Sequence, residues 1–371
     1  MIYADNAATT KLCKQAFDAM KPYLLEQYGN ASQPYSFSRT VKKALQLARK
    51  TIADCIGASP EEIYFTSGGT ESDNWALKSA IFLKKEKNEV ITSEIEHHAI
   101  LNSCRTIQRL GIPVHYLSVS RKGIVSQEDL DKATSDKTAI VSIMYGNNEI
   151  GTIEPIAELA KIVHAHGALF HTDAVQAVGH IPINVHKENI DLLSSSAHKF
   201  NGPKGIGFLY IRNGVHIHPY EDGGSQENGL RAGTENIASI VGMSEALRFN
   251  TARMKDVANK LQSLEDVLLN KLRESNIDFI RNGSEYHLPG NVCLSFRGAD
   301  GEMLLHRLDL MGICISTGSA CDSVHTQVSH VIKAIGVPAD YAQGTIRITF
   351  GAENTISEAV EIANALRKIL I

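Results

Sequence analysis

One lysine and one aspartate follow predicted strands where their side chains could act on an organic substrate. Lys199 ends the run Ser-Ala-His-Lys and precedes a glycine-rich turn at 202–207. An amine there can form an imine, although an isolated lysine before a turn is more often a surface residue. Asp173 ends the apolar strand predicted at 168–172, where a carboxylate can keep a pyridine nitrogen protonated. Together they indicate a planar pyridine cofactor attached to Lys199.

Other polar residues also follow predicted strands. The turn Ser-Gly-Gly at 67–69 lies between a strand and a helix predicted to start near Thr70, so its N–H groups and the helix dipole suit a phosphate. His97 could cover one face of a ring, or be an exposed loop histidine. Gln176 could donate to a ring oxygen, and Asn148 lies in either a ligand loop or an ordinary turn. Such residues at the carboxyl ends of parallel strands predict a single crevice.

Short apolar strands alternate with helical patterns, which predicts an α/β fold with a largely parallel sheet. A helix is predicted at 39–57, and a long helical stretch from about 236 to 275 with a domain joint near 255. Thr355 and Glu358 form a capping box for the last helix. Strands are predicted at 63–66, 90–92, 138–142, 168–171, 191–194 and 207–211, the last returning beside the others.

Composition restricts the partners and the compartment. At 371 residues the chain exceeds one simple core, so two domains are expected. Lys plus Arg is 37 and Asp plus Glu is 41, a net charge of −4, which argues against nucleic acid or an anionic membrane as the main partner. No apolar run approaches the ~20 residues that span a bilayer, and the N-terminus lacks a secretory pattern, so we expect a cytoplasmic protein. The six cysteines lack paired or CxxC spacing, which predicts reduced thiols and no metal site.

Eight motifs occur in a fixed order along the chain. They are Asp-Asn-Ala-Ala-Thr-Thr at 5–10, Thr-Ser-Gly-Gly-Thr-Glu-Ser-Asp-Asn at 66–74, Glu-His at 96–97, Asn-Asn-Glu-Ile-Gly at 147–151, His-Thr-Asp-Ala-Val-Gln at 171–176, Ser-Ala-His-Lys at 196–199, Arg-Ala-Gly-Thr-Glu-Asn at 231–236 and Ser-Thr-Gly-Ser-Ala-Cys at 316–321. Together they resemble the cysteine desulfurases of the NifS/IscS-like class, among the fold-type I, class V aminotransferase-like enzymes that use pyridoxal phosphate. The resemblance covers essentially the whole chain.

The resemblance implies an architecture and an activity. A large cofactor-binding domain at 15–255, with a mostly parallel sheet covered by helices, would join a smaller α/β domain at 256–371, with residues 1–14 connecting them. The enzyme would be a homodimeric sulfurtransferase that converts L-cysteine to L-alanine. It would pass the sulfur to an acceptor protein for iron–sulfur cluster assembly, or for thiolation of a cofactor or nucleic acid, without contacting nucleic acid or a membrane itself.

The resemblance also implies a role for individual residues. Lys199 matches the lysine that forms the Schiff base, Asp173 the partner of the pyridine nitrogen, and His97 the histidine that stacks on the ring. Arg347 matches the arginine that clamps the substrate carboxylate bidentately, with Asn148 near that carboxylate and the phenolic oxygen. The remaining cofactor contacts are Gln176 at the phenolic oxygen, Gly69, Thr70, Ser196 and His198 at the phosphate, and Thr234 at the phosphate of the other subunit.

Cys321 matches the nucleophile that receives sulfur. A thiolate is needed because sulfur leaves carbon as a formally positive equivalent, and a hard oxygen nucleophile forms no stable persulfide. The small, polar stretch 316–327 predicts a mobile loop for this residue. Most free cysteines are small core residues, which suits Cys55, Cys293 and Cys314 better than Cys321.

Two alternatives remain beside this interpretation. One is a selenocysteine lyase, or another pyridoxal-phosphate lyase or aminotransferase. An aminotransferase needs no cysteine loop, so Cys321 argues against that activity. Comparing the turnover of cysteine with that of selenocysteine would test for selenide release. The other is a catalytically silent scaffold for sulfur assembly, although Lys199, Asp173 and Cys321 are all present.

The chain departs from the family pattern at Ala31, Tyr35, Val328 and Ala352, where the family usually has proline, histidine, proline and arginine. These departures affect a loop and its docking partner rather than a catalytic group.

Overall fold

The structure is a computed structural model that describes residues 1–83, 86–317 and 328–371. The strands are β1 (Ile2–Tyr3), β2 (Ile63–Thr66), β3 (Glu89–Ser93), β4 (Val114–Leu117), β5 (Thr138–Ser142), β6 (Leu169–Asp173), β7 (Leu192–Ser196), β8 (Gly207–Ile211), β9 (Phe279–Arg281), β10 (Asn291–Phe296), β11 (Ile313–Cys314) and β12 (Thr345–Thr349). The helices are α1 (Lys14–Leu25), α2 (Ser38–Ile56), α3 (Gly69–Leu83), α4 (His98–Arg109), α5 (Gln127–Ala133), α6 (Ile156–Ala165), α7 (Ile237–Glu274), α8 (Gly301–Leu310), α9 (His330–Ala334), α10 (Ala339–Ala342) and α11 (Ile356–Leu370).

The central sheet has the strand order β2-β8-β7-β6-β5-β3-β4. Strands β4, β3, β5, β6 and β7 run parallel to one another, and β8 is antiparallel to both β7 and β2. The expectation of a largely parallel sheet, with 207–211 returning beside it, is confirmed. Every residue of β5, β7 and β8 is buried, as expected of strands covered on both faces. The parallel strands end at one edge, which therefore gathers the residues that follow them.

A second core lies in the C-terminal part of the chain. Strands β12, β10 and β9 form an antiparallel sheet, and its core includes Leu294, Ile348 and Leu366. The capping box predicted for the last helix is present: Thr355 Oγ1 accepts from Glu358 N at 3.3 Å, and Thr355 N donates to Glu358 Oε2 at 2.8 Å. The start of the chain belongs here too, since β1 pairs with β11.

Helix α7 joins the two cores without a break. Its residues between 238 and 247 pack in the core under the central sheet, and those between 261 and 272 pack in the second core. The long helix predicted at 236–275 is confirmed, and it is helical throughout its 38 residues, including position 255. The packing partner changes along the helix while the helix itself continues. Within the described ranges, no helix has both the length and the apolar character that a membrane span requires.

Candidate active site

A cavity of about 380 Å³ opens at the edge where the parallel strands end. The central strands supply its floor, the N-terminal segment supplies Ala7 and Ala8, and β12 supplies Arg347. The predicted site residues that line it are Gly69, Thr70, His97, Asn148, Asp173, Gln176, Ser196, His198, Lys199 and Arg347. Residues from distant parts of the chain therefore meet in one place.

Lys199 ends a short 3₁₀ turn that follows β7 directly. Its Nζ donates to the carbonyl oxygens of Ala7 at 2.6 Å and Ala8 at 2.9 Å. Gln176 Nε2 donates to the same Ala7 oxygen at 2.9 Å. The amine and the amide are thus held beside each other by the backbone of the N-terminal segment.

Asp173, at the end of β6, is almost fully buried, and its Oδ1 accepts from Val175 N at 2.9 Å. Burial raises the pKa of this carboxyl group, and the neighbouring His97 and Lys199 oppose the rise. His97 caps helix α4, and its Nδ1 accepts from Ala99 N at 3.1 Å. Burial lowers the pKa of His97, which favours the neutral ring, and the hydrogen bond accepted at Nδ1 leaves the ring proton on Nε2.

The residues that the resemblance places at the phosphate of the same subunit surround an adjoining cavity of about 380 Å³. Gly69, Thr70, Ser196 and His198 line it at the N-terminus of α3, with Lys204 beside them. Helix N-termini bind anions through their free N–H groups and their dipole. Glu71 in this first turn is paired with Arg231 at 2.9 Å, which offsets its negative charge.

Arg347 is almost fully buried between the N-terminal segment and the Asn-Asn loop. Its Nη1 donates to Asn148 O at 3.0 Å, and its Nη2 donates to Asp5 Oδ1 at 2.7 Å. Glu149 is also buried; it accepts from Ser329 Oγ at 2.6 Å, and burial raises its pKa to about 7. This end of the cavity therefore presents a guanidinium held by fixed partners.

Among the predicted site residues, one that the structure describes lines neither cavity, and another lies outside the described residues. Thr234 is exposed on the surface of the chain, three residues after Arg231. Cys321 and most of the predicted mobile loop lie outside the described residues, which stop at Thr317 and resume at Val328. Of the cysteines expected in the core, Cys293 is buried, whereas Cys55 and Cys314 are only half-buried.

Sequence reasoning missed several residues at this site. Asp5 and Lys204 stand within quoted or neighbouring motifs, but their partners are too far away in sequence to be inferred. Asp73 is fully buried, and its Oδ1 has no hydrogen-bond partner among the described residues, although His171 Nε2 lies 3.8 Å away. One ligand atom each of Asp73, His97 and Asp173 lies within 4.8 Å of the others. The place of Asp73 in the motif at 66–74, one helical turn after Gly69, was the available signal.

The donor set fits pyridoxal phosphate. A lysine amine can hold the aldehyde carbon, a buried carboxylate suits a protonated ring nitrogen, and a helix N-terminus suits the phosphate. Gly69 leaves room between these groups, because a Cβ there would lie 2.5 Å from Val175 Cγ2. Asp73 Oδ1, which accepts no hydrogen bond within the described part of the chain, also offers an acceptor in the same cavity.

Comparisons with known proteins identify the family of this chain. Residues 2–362 match the family model described as aminotransferase class-V. A cysteine desulfurase IscS from Dictyoglomus turgidum is 47% identical over all of this chain and 94% of its own length. A solved NifS-like protein superposes with a TM-score of 0.94 at 37% identity, covering 100% of this chain and 99% of its own. A structure described as SspA in complex with cysteine gives 0.84 at 34% identity, covering 96% and 100%. The chain therefore belongs to the aminotransferase class-V family and, within it, to the pyridoxal-phosphate-dependent cysteine desulfurases of the IscS and NifS type.

Proposed function

We propose that the chain converts L-cysteine to L-alanine and holds the removed sulfur as a persulfide on Cys321 until an acceptor protein takes it. The observation that carries this proposal is the presence of Lys199 and Arg347 in one cavity. Cysteine offers an amino group and a carboxylate, which these two side chains are suited to handle. The relative described as SspA in complex with cysteine supports the same substrate.

Pyridoxal phosphate bound in this cavity supplies an electron sink for the bonds at the substrate's α- and β-carbons. In our proposal Asp173 holds a proton on the pyridine nitrogen, and Gln176 and Asn148 orient the phenolic oxygen. Gly69, Thr70, Ser196 and His198 bind the phosphate. His97 covers one face of the ring and excludes water from it.

Lys199 Nζ is proposed to take the proton from the substrate Cα. Arg347 binds the carboxylate and so fixes the orientation of that C–H bond relative to Lys199. The hydrogen bonds to Ala7 and Ala8 support this role, because they keep the amine inside the cavity when it is not bonded to the cofactor. Holding the reacting groups in this way lowers the entropic part of the barrier.

The Cys321 thiolate is proposed to attack the substrate sulfur. The carbon–sulfur bond breaks as the sulfur–sulfur bond forms, its electron pair stays on the three-carbon fragment, and that fragment takes up protons and leaves as alanine. The chain on both sides of the segment supports this assignment: Ser316 N donates to Arg347 O at 3.1 Å, and Ser329 Oγ donates to Glu149 at 2.6 Å. Arg347 and Glu149 both line the cavity.

Further parts of the proposal concern the assembly. We propose a cytoplasmic homodimer in which Thr234 reaches the partner's phosphate site. Exposed apolar residues support a self-association surface, with Leu24, Leu25, Tyr28, Tyr35 and Phe37 each at least 46% exposed.

We also propose that the chain has a large domain at 15–255 and a small domain at 256–371, joined by residues 1–14. We propose that the sulfur it releases serves iron–sulfur cluster assembly or thiolation.

A comparison of Cys321→Ser with Cys314→Ser tests the chemistry. We expect Cys321→Ser to keep the visible absorption of bound cofactor and to lose alanine formation from L-cysteine by at least about 100-fold, because no thiolate attacks the sulfur. Cys314→Ser should keep the wild-type rate. After one turnover without reductant, mass spectrometry should find one extra sulfur on the Cys321 peptide. Alanine release at the wild-type rate by Cys321→Ser would contradict the mechanism.

A further inference from the structure

The segment 5–8 crosses the candidate active site along β12. Thr349 N donates to Ala4 O at 2.7 Å, and Ala7 N donates to Thr349 Oγ1 at 2.9 Å. These bonds fix the backbone whose carbonyls hold Lys199 and Gln176. The same few residues therefore contact both the amine end and the guanidinium end of the cavity.

Asp5 is the charged side chain of this segment, and it pairs with Arg347 at 2.7 Å. The two residues are 342 positions apart in sequence. The Arg347 side chain is 5% exposed and that of Asp5 is 18% exposed, so the pair is shielded from water. Surface ion pairs contribute little, whereas a shielded charge-assisted bond holds a side chain firmly.

The contacts on Arg347 leave donors for another ligand. A guanidinium has five N–H groups in a rigid plane. Asp5 accepts from Nη2 and the Asn148 carbonyl accepts from Nη1, while Nε is buried and has no hydrogen-bond partner among the described residues. Two partners on different nitrogens fix the rotation of the plane. The direction of the remaining N–H groups is therefore set before any carboxylate arrives.

We propose that Asp5 is a positioning residue that orients Arg347 for the substrate carboxylate, and so makes the enzyme prefer an α-amino acid to an amine that lacks the carboxylate. The inference rests on the proposed role of Arg347. Without Asp5 the guanidinium keeps its charge but loses one of its two fixed points. A misplaced clamp weakens binding of the carboxylate and leaves contacts with the amino group unchanged.

The test uses the holoenzyme with two ligands that are not turned over, L-alanine and ethylamine, titrated by the visible absorption of bound cofactor. We expect Asp5→Ala to weaken L-alanine by about 10-fold to 100-fold and to leave ethylamine unchanged. The KM for L-cysteine should rise by a similar factor with little change in kcat. Asp5→Asn keeps an acceptor oxygen and should show the same selectivity change to a smaller extent.

Glu353→Gln is the matched control. It removes another ion pair between the N-terminal segment and the C-terminal part, Lys11 Nζ to Glu353 Oε2 at 3.4 Å, with both side chains exposed. We expect L-alanine and ethylamine to bind this variant as they bind the wild type. A loss of L-alanine binding in Glu353→Gln equal to that in Asp5→Ala would overturn the inference, since any anchor of the segment would then suffice.

Arg347→Ala distinguishes a failure of the proposed role of Arg347 from a failure of the inference about Asp5. If it binds L-alanine as tightly as the wild type does, the proposed role of Arg347 is wrong. If it loses L-alanine but both Asp5 variants keep wild-type selectivity, only the inference about Asp5 is wrong. The inference about Asp5 would also be overturned if the Asp5 variants bound L-alanine and ethylamine equally weakly, or if they bound L-alanine more tightly than the wild type does. Since Asp5→Asn is nearly isosteric, its selectivity decides the question even if Asp5→Ala folds poorly.

Discussion

Lys199 and Lys204 differ in their surroundings although both line the candidate site. Lys199 Nζ is held at 2.6 and 2.9 Å by two carbonyl oxygens in the cavity beside Asp173. Lys204 is exposed and lines only the adjoining phosphate cavity. One lysine is therefore placed to react with a carbonyl carbon and the other to attract a phosphate.

Lys199→Ala should abolish covalent attachment of the cofactor, because no other described lysine lines the cavity that contains Asp173. Wild-type protein treated with borohydride should retain the cofactor through denaturation, and Lys199→Ala should release all of it. Lys204→Ala should weaken phosphate binding yet still be fixed by borohydride. Covalent fixation in Lys199→Ala, measured by mass spectrometry of the intact chain, would refute the assignment of this lysine.

The site residues that sequence predicted well are those whose position depends on local structure. Asp173 and Ser196 end strands, and His97 caps a helix, so the few residues around each of them were enough to predict its position. The pairing of Asp5 with Arg347 depends on how β12 meets the N-terminal segment. The sequence pattern within either segment does not indicate that the two segments are in contact, and so the function of Asp5 was not predicted.

The turn that precedes α3 packs directly against the start of β8. A Cβ at Gly207 would lie 2.3 Å from Ser195 O and 2.7 Å from Gly68 Cα. These neighbours are backbone atoms, so they cannot move aside as a flexible side chain would. The shape of the phosphate cavity therefore depends on the absence of a side chain at Gly207.

Gly207→Ala should push the Gly68 turn away from β7 and reduce both stability and cofactor affinity. We expect a loss of about 2 kcal/mol or more in the free energy of unfolding, as for other overpacked sites. Gly214→Ala is the control: its φ of +89° makes alanine unfavourable, but no described atom lies within 4 Å of a Cβ there, and Gly214 is not among the residues that line either cavity. That variant should lose about 1 kcal/mol and keep its affinity for the cofactor. Denaturant unfolding and release of cofactor on dilution measure the two effects, and equal cofactor affinity in both variants would contradict the argument.

At the scale of elements, sequence located the strands of the central sheet apart from β4, but not those of the C-terminal sheet, among them the fully buried β10. Strand β8 and the centre of β5, residues 139–141, are apolar runs because helices or loops cover both faces, and both strands were located from sequence. Strand β4 lies at the sheet edge, and His115 within it is exposed, so its pattern resembles that of a loop. Strands β1 and β11 have two residues each and form only by pairing with one another.

At the scale of the whole molecule, exposed apolar side chains cluster in the segment from α1 to α2. Tyr28 is 74% exposed, and its ring lies 5.1 Å from that of Phe37. Thr234 is also exposed, although its motif resembles a phosphate contact. Both features are expected if a second copy of the chain covers this surface and receives Thr234.

Mixed dimers test whether sites are shared. If Thr234 acts in the partner's site, a dimer of one Lys199→Ala chain and one Thr234→Ala chain contains one site with both native residues and one with neither. We expect such dimers, purified with two different tags, to have about half of the wild-type activity, since one of the two sites of a symmetric dimer is intact. If Thr234 acts within its own chain, the mixed dimer should be no more active than half of the Thr234→Ala homodimer. An active monomer in sedimentation at the assay concentration would also exclude shared sites.

Helix α7 gives the molecule a mechanical property that follows from its length. At 38 residues it is a beam of about 57 Å, with one end embedded in each core. A tilt of about 5° at one end would displace the other by about 5 Å, which exceeds the length of a hydrogen bond. The bonds from residues 4–7 to Thr349 act as a tie that faces the middle of α7 across a cavity. Helix α7 and these hydrogen bonds connect the two cores at two places. This double connection limits how far the guanidinium of Arg347 can move from the amine of Lys199.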